Sequence, residues 1–204
     1  MSTITGIEIS RGMVSVYADG TLAARVRKAH FDALPLMAGD EVDLEEWENR
    51  LAPVQFGDAW EAALNSLDRS ARTEKELRAS LKRRGYVAPV IDAVALRLRE
   101  TGLIDDARYA ERMAELQSQK PVGLHAFRRK LMAKGIPEDA AAEALAAFDE
   151  NQQRDACLKA ARGLYRKYEA LPPREGKAKL SQALARRGFG WEAIDYAVEE
   201  VWDE

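Results

Sequence analysis

Cysteine and histidine are scarce in this 204-residue chain: one cysteine, Cys157, and two histidines, His30 and His125. A single cysteine forbids an intramolecular disulfide and cannot by itself build a thiolate metal site. Neither histidine has a cysteine, histidine or carboxylate at ligand spacing, and His125 reads as a solvated surface residue. Cys157 falls on an apolar helical stripe and reads as a core thiol. Long apolar runs are also missing. None approaches the ~20 residues that span a bilayer, and Met1-Ser2-Thr3-Ile4 lacks the charged-then-apolar layout of a signal peptide. The expectation is a reducing, cytoplasmic location with no membrane contact.

Charge is abundant but nearly balanced, with a net of −3 that decides nothing about partners. Its distribution is more informative. Residues 1–57 carry nine acids against five bases, whereas 69–100 carry nine bases against four acids and 154–187 ten against three. The last seventeen residues hold six acids and no base. Two basic stretches therefore sit in a mildly acidic whole.

The strongest pattern is a repeat. Leu77-x3-Leu81-x3-Gly85-Tyr86 recurs as Phe127-x3-Leu131-x3-Gly135-Ile136 and as Leu180-x3-Leu184-x3-Gly188-Phe189, the glycines 50 and then 53 positions apart. Each copy is a helix with apolar residues four apart, a glycine stop, an apolar residue and a second apolar helix. That period marks an array of small helical units. The expected fold is mainly α, with tandem three-helix repeats in a curved elongated array behind a small β-rich N-terminal head. The expected divisions are 1–57 for the head and 58–103, 104–150 and 151–204 for the repeats.

In the head, Ile7/Ile9 and Val14/Val16 alternate around Arg11-Gly12, and Asp19-Gly20 separates Met13–Ala18 from Thr21–Lys28. With Leu22 and Val26 inward on the return run, this predicts a three-stranded antiparallel sheet. Leu44, Trp47 and Leu51 predict a short helix ending before Pro53. In the first repeat Trp60, Ala63, Leu64 and Leu67 form a stripe, and Thr73-Glu74-Lys75-Glu76 matches a capping box. Pro89 suits a helix first turn, with Val90, Ile91, Val94 and Leu98 inward. In the second repeat Asp105 is the expected N-cap, with Ile104 and Tyr109 placed as a staple and Tyr109, Met113 and Leu116 as the buried face. The third has Cys157, Leu158, Ala161, Leu164 and Tyr165, then Ile194, Val198 and Val201.

Catalytic parts are few. Gly176-Lys177-Ala178 fails as a phosphate loop, because Leu171 stands where the first glycine belongs and Ala178 where Ser or Thr would hold magnesium. Asp105-Asp106 lies at a helix start, where free amides and the dipole already account for it. No catalytic residue, metal site or cofactor is expected. Basic residues are the candidate interaction site: Arg78, Lys82, Arg83 and Arg84 before the first glycine, Arg128, Arg129, Lys130 and Lys134 before the second, and Lys177, Lys179, Arg186 and Arg187 before the third. Dipole complementarity explains part of this set. Its threefold recurrence points to a basic surface for phosphates or an acidic partner. A base-reading helix-turn-helix is disfavoured, since the helices after the glycines are apolar and, in the second and third repeats, alanine-rich or acidic.

Gly102-Leu103-Ile104-Asp105-Asp106-x-Arg108-Tyr109-Ala110, with Glu76-Leu77-x3-Leu81-x3-Gly85 before it and Lys130-Leu131-x2-Lys134-Gly135-Ile136 after it, resembles the RecX family of bacterial recombination regulators. The resemblance covers residues 58–204, and the head is similar to an N-terminal extension that some members carry. It implies tandem three-helix repeats in a curved, elongated molecule and binding to the RecA filament on single-stranded DNA, with modulation, mainly inhibition, of filament growth, ATPase and strand exchange. It implies no cofactor and no enzymatic activity. The expected partners are RecA and, through the basic helices, single- or double-stranded DNA; the chain itself is expected to be a monomer.

Overall fold

Both hairpin breaks read from the sequence are two-residue turns in the computed structural model, which describes residues 1–118 and 120–203. The chain divides into two units, Met1–Asp105 and Asp106–Glu204. In the first, β1 (Ser2–Ser10), β2 (Met13–Ala18) and β3 (Thr21–Arg27) pair antiparallel through Arg11-Gly12 and Asp19-Gly20, all four turn residues having positive φ. That geometry matches the twist of the flanking strands. A fourth strand, β4 (Glu41–Val42), joins the other edge of β1 to give the order β3-β2-β1-β4. Two residues are too few for an alternating pattern to show, so only three strands were legible.

Leu22 does not point inward. Strict alternation would place it on the same face as buried Ala24 and Val26, but the register skips between Val16 and Tyr17 and leaves Ala23 as an extra residue. The bulge turns Leu22 to the face opposite that of Ala24 and Val26, where it sits across from Tyr17 and is 56% exposed. A second bulge in β1, between Ile4 and Gly6, lets Ile4 and Ile7 both pack inward.

The helix expected to end before Pro53 continues as α2 (Leu44–Arg69), and α1 (Lys28–Phe31) precedes it. Asp43 caps α2, accepting from the amides of Glu45 and Glu46 at 3.0 and 3.2 Å. An interior proline costs about 3 kcal/mol. The cost is offset because Trp47 and Leu51 before it, and Gln55, Ala59, Ala62, Ala63 and Ser66 after it, are all buried while Pro53 faces solvent. Burying Trp47 and Leu51 alone returns roughly 1.5–3 kcal/mol each. One helix thus serves both the head, through Trp47 against Phe31 and with Leu51 in one core with Val14 and Val16, and the first repeat. Leu64, expected in the core, is exposed; Ala62 and Ala63 take the inner face.

The first repeat adds α3 (Glu74–Arg83), opened by the Thr73/Glu76 capping box, and α4 (Ala88–Glu100), with Pro89 in its first turn. In the second unit, one repeat comprises α5 (Asp106–Ser118), α6 (Leu124–Ala133) and α7 (Glu138–Ala146), and the other α8 (Glu150–Tyr165), α9 (Pro173–Arg186) and α10 (Trp191–Asp203). The recurrent motif has one structural meaning in all three. Gly85, Gly135 and Gly188 each have φ of 84°, and the amides of Tyr86, Ile136 and Phe189 reach back to the carbonyls of Leu81, Leu131 and Leu184 at 3.4, 3.1 and 3.4 Å. This is the Schellman stop, in which a left-handed glycine lets the chain cap its own helix. Both members of each pair are buried, so the cap also fixes the start of the next helix in the core.

In α5 the buried face is Ala110 and Ala114, while Leu116 is 56% exposed and Tyr109 and Met113 are half-buried. Alanines bring α5 close to Ala141 and Ala144 of α7, an approach that longer side chains would prevent. The staple residues part company: Ile104 belongs to the core of the first unit and Tyr109 packs on that of its own repeat. The third repeat closes on Cys157, Leu180, Leu184, Ile194, Val198 and Val201, with Tyr165 edge-on to Trp202 at 5.0 Å.

Candidate interaction surface

The structure sorts the basic residues into two classes. Arg78 of α3 binds Glu74 at 2.7 Å and also Asp92 of α4. Its burial works against the charged form, but the hydrogen bonds and charges of Asp92 and Glu74 outweigh this and raise its pKa. Arg128 of α6 pairs with Glu138 of α7, and Lys177 of α9 with Glu199 of α10 at 2.6 Å. In every repeat, then, a cation on the helix before the glycine meets an acid on the helix after it. Such exposed pairs are worth about 0–1 kcal/mol, but they consume charge that the sequence alone offered to a partner. Lys179 is likewise held by Glu175 at 2.6 Å, and Lys134 lies 5.3 Å from the centroid of the Tyr109 ring.

The second class forms no ion pair among the described residues: Arg83 and Arg84, Arg129 and Lys130, Arg186 and Arg187. All but Arg129 sit in or just beyond the last turns of α3, α6 and α9, where unsatisfied carbonyls favour positive charge. Lys82 is exposed beside half-buried Glu48. Desolvation raises the Glu48 pKa against the opposing effects of Lys82 and the Ala88 amide. Five of the six unpaired cations are exposed; Arg84 is half-buried.

The glycine turns do more than stop helices. At Gly85 an added Cβ would meet Met13 at 2.5 Å, the Arg25 carbonyl at 3.1 Å and Val26 at 3.2 Å, so β2 and β3 close directly over the turn. Gln55, fully buried in α2, clamps the same turn: Nε2 donates to the Gly85 carbonyl at 3.1 Å and Oε1 accepts from the Val87 amide at 2.8 Å. At Gly188 the covering element is the start of α6. The amide of Gly123 donates to the Arg187 carbonyl at 3.1 Å and that of His125 to the Gly188 carbonyl at 3.0 Å. Orphan donors of one helix thereby satisfy orphan acceptors of another, and α6 needs no side-chain cap.

Chemistry-bearing groups elsewhere are structural. Burial pushes the Cys157 thiol up to about 12, leaving it protonated. His30 is buried, contrary to the usual place of a histidine, with Nε2 2.9 Å from Asp58 Oδ2 and its ring tilted against Tyr86 at 6.0 Å. Gly176 lies inside α9 against Trp202, so Gly176-Lys177-Ala178 is helix and not a loop. Asp105 immediately precedes α5. Among the described residues no three of His, Cys, Asp and Glu are placed to hold a metal, and no helix is long and apolar enough to cross a membrane. Gln55, Gly123 and His30 carried no sequence signal for these roles, because each depends on a neighbour far along the chain.

Known proteins share this arrangement. Family models for the first, second and third three-helix domains of RecX match residues 59–98, 105–145 and 151–198. Regulatory protein RecX of Levilactobacillus brevis is 31% identical over 192 residues, covering 93% of this chain and 72% of that protein. That of Clostridium acetobutylicum is 27% identical over 217 residues, covering 100% and 98%. A crystal structure of a regulatory protein RecX superimposes with a TM-score of 0.69 at 28% identity over the whole of both chains. The crystal structure of RecX from Lactobacillus salivarius gives 0.66 at 26% identity, covering 72% of this chain and 97% of that one. The chain, with three tandem helical domains behind a four-stranded sheet, belongs to the RecX family of regulatory proteins.

Proposed function

We propose that the protein binds the RecA filament assembled on single-stranded DNA and restrains its growth, ATPase and strand exchange, acting in the cytoplasm in recombination, DNA repair and the SOS response. Membership of a regulatory family supports a binding role over a catalytic one. The observation that carries the reading is a pair of cations with no ion pair among the described residues on the helix before each glycine: Arg83/Arg84 at the end of α3, Arg129/Lys130 on α6, and Arg186/Arg187 at the end of α9. Three similar basic sites on one chain suit a partner that itself repeats, and whose phosphates or acidic side chains offer the opposite charge. Co-sedimentation with RecA filaments, formed on single-stranded DNA with a slowly hydrolysed nucleotide, tests it. The protein is expected in the pellet, and its absence there rejects the reading.

The same guanidinium groups favour a second reading, a sequence-nonspecific nucleic-acid scaffold that acts without RecA. Tight binding of the isolated protein to DNA, falling steeply with salt, together with no effect on RecA ATPase, would select it.

A further inference from the structure

Trp191, the first residue of α10, is 66% exposed. The other three tryptophans are engaged: Trp47 is buried and donates to the Leu34 carbonyl, Trp60 lies under the Arg97 guanidinium at 4.9 Å, and Trp202 meets Tyr165. No described ring or cation covers the Trp191 indole. Two arginines precede it and acids follow it along α10. Arg186 and Arg187 lie just upstream across the Gly188 turn, exposed and without an ion pair among the described residues. The backbone bonds from α6 to Arg187 and Gly188 bring His125 to the same junction. Of the acids there, Glu192 is held by Arg154 at 2.6 Å, Glu150 lines the adjacent cleft, and Asp195 is exposed one turn further along α10.

That cleft, lined by Leu124, His125, Phe148 and Gly190 among others, is about 220 Å³. Small-molecule sites start at roughly 300 Å³, so it does not explain the exposed indole as the lip of a metabolite pocket. A flat, uncovered aromatic face a few residues after two exposed arginines, across a tight turn, fits a different ligand. We propose that Trp191, Arg186 and Arg187 form a stacking site for single-stranded nucleic acid: the indole takes the face of an unpaired base, and the guanidiniums take the flanking phosphates. A duplex keeps its base faces stacked inside and offers only the phosphates, so the site prefers a single strand. The proposal deepens the filament reading and rests on it for its biological setting, since the filament carries such a strand.

The test uses the isolated full chain and no RecA, so it stands or falls separately from co-sedimentation. Oligothymidylate and an abasic oligonucleotide of equal length are titrated, with indole fluorescence and anisotropy as readouts. Oligothymidylate is expected to quench the indole and to bind more tightly than the abasic strand. Trp191→Ala should lower oligothymidylate affinity by about tenfold and leave abasic binding unchanged. Arg186→Glu with Arg187→Glu should weaken both and reduce the salt slope. Equal oligothymidylate affinity for Trp191→Ala and the parent chain overturns the site, as does equal binding of the two strands by the parent. Concentration-dependent self-association that Trp191→Ala abolishes would assign the indole to a second copy and also overturn it. Because Trp191 is exposed, an unchanged circular dichroism spectrum is expected for the variant.

Discussion

The side-chain amide of Gln55 grips the glycine turn of the first repeat, donating to the Gly85 carbonyl at 3.1 Å from a position thirty residues earlier in the chain. Its oxygen accepts from Val87 at 2.8 Å, so one buried side chain satisfies two buried backbone groups. Gln55→Leu keeps the volume and removes both bonds. Each orphaned group costs roughly 1–3 kcal/mol, and a loss of about 3 kcal/mol in the unfolding of the first unit is expected in urea. Wild-type stability would show that water or a shifted backbone replaces the clamp.

A second expectation concerns Gly123. A Cβ there would overlap the carbonyl carbon and oxygen of Gly188 and the amide of Phe189. These are backbone atoms that cannot swing aside. Gly123→Ala should therefore destabilise the second unit by on the order of 3 kcal/mol. Gly190→Ala, where nothing lies within 4 Å, serves as the control and should cost little. Similar thermal midpoints for the two variants would contradict the backbone junction between α6 and α9.

Cys157 provides a local reporter. With its thiol pKa pushed to about 12 by burial, almost no thiolate exists at neutral pH, and alkylation should proceed only when the third repeat opens. Native protein is expected to resist iodoacetamide under conditions that label the urea-unfolded chain fully. Gly123→Ala should speed native labelling. Rapid labelling of the native wild-type chain would exclude this burial.

The two classes of cation separate binding from folding. Reversing Arg83, Arg84, Arg129, Lys130, Arg186 and Arg187 to glutamate should abolish inhibition of RecA ATPase with helical content intact. Arg78→Ala should act the other way, lowering stability by about 1 kcal/mol, since Asp92 loses its cation and Glu74 keeps Arg99 at 3.4 Å, while sparing inhibition. Unchanged inhibition by the six-fold reversal would reject the basic helix ends as the contact face.

Local chemistry made much of this molecule legible. Thr73 and Glu76 are three apart, so the capping box needs nothing beyond its own turn. Asp19-Gly20 turns between its flanking strands with positive φ at both residues. Leu81 and Tyr86 straddle Gly85 closely enough that the helix stop is written in six consecutive residues, three times over. Most misreadings involve partners on another element. Pro53 stays helical because packing on both sides outweighs its propensity. Leu22 faces out because a bulge reverses the alternation. Arg78, Arg128 and Lys177 looked available and are paired.

The sequence by itself determined where the helix before each repeated glycine stops and that the unit occurs three times, because left-handed glycines cap a helix within a single turn of chain. Only the tertiary structure decided what covers each glycine turn and which cations are left unpaired. Those outcomes depend on groups from different elements that become neighbours only when the backbone packs: Gln55 and β3 over Gly85, the start of α6 over Gly188, and an acid on each following helix for one base on the helix before.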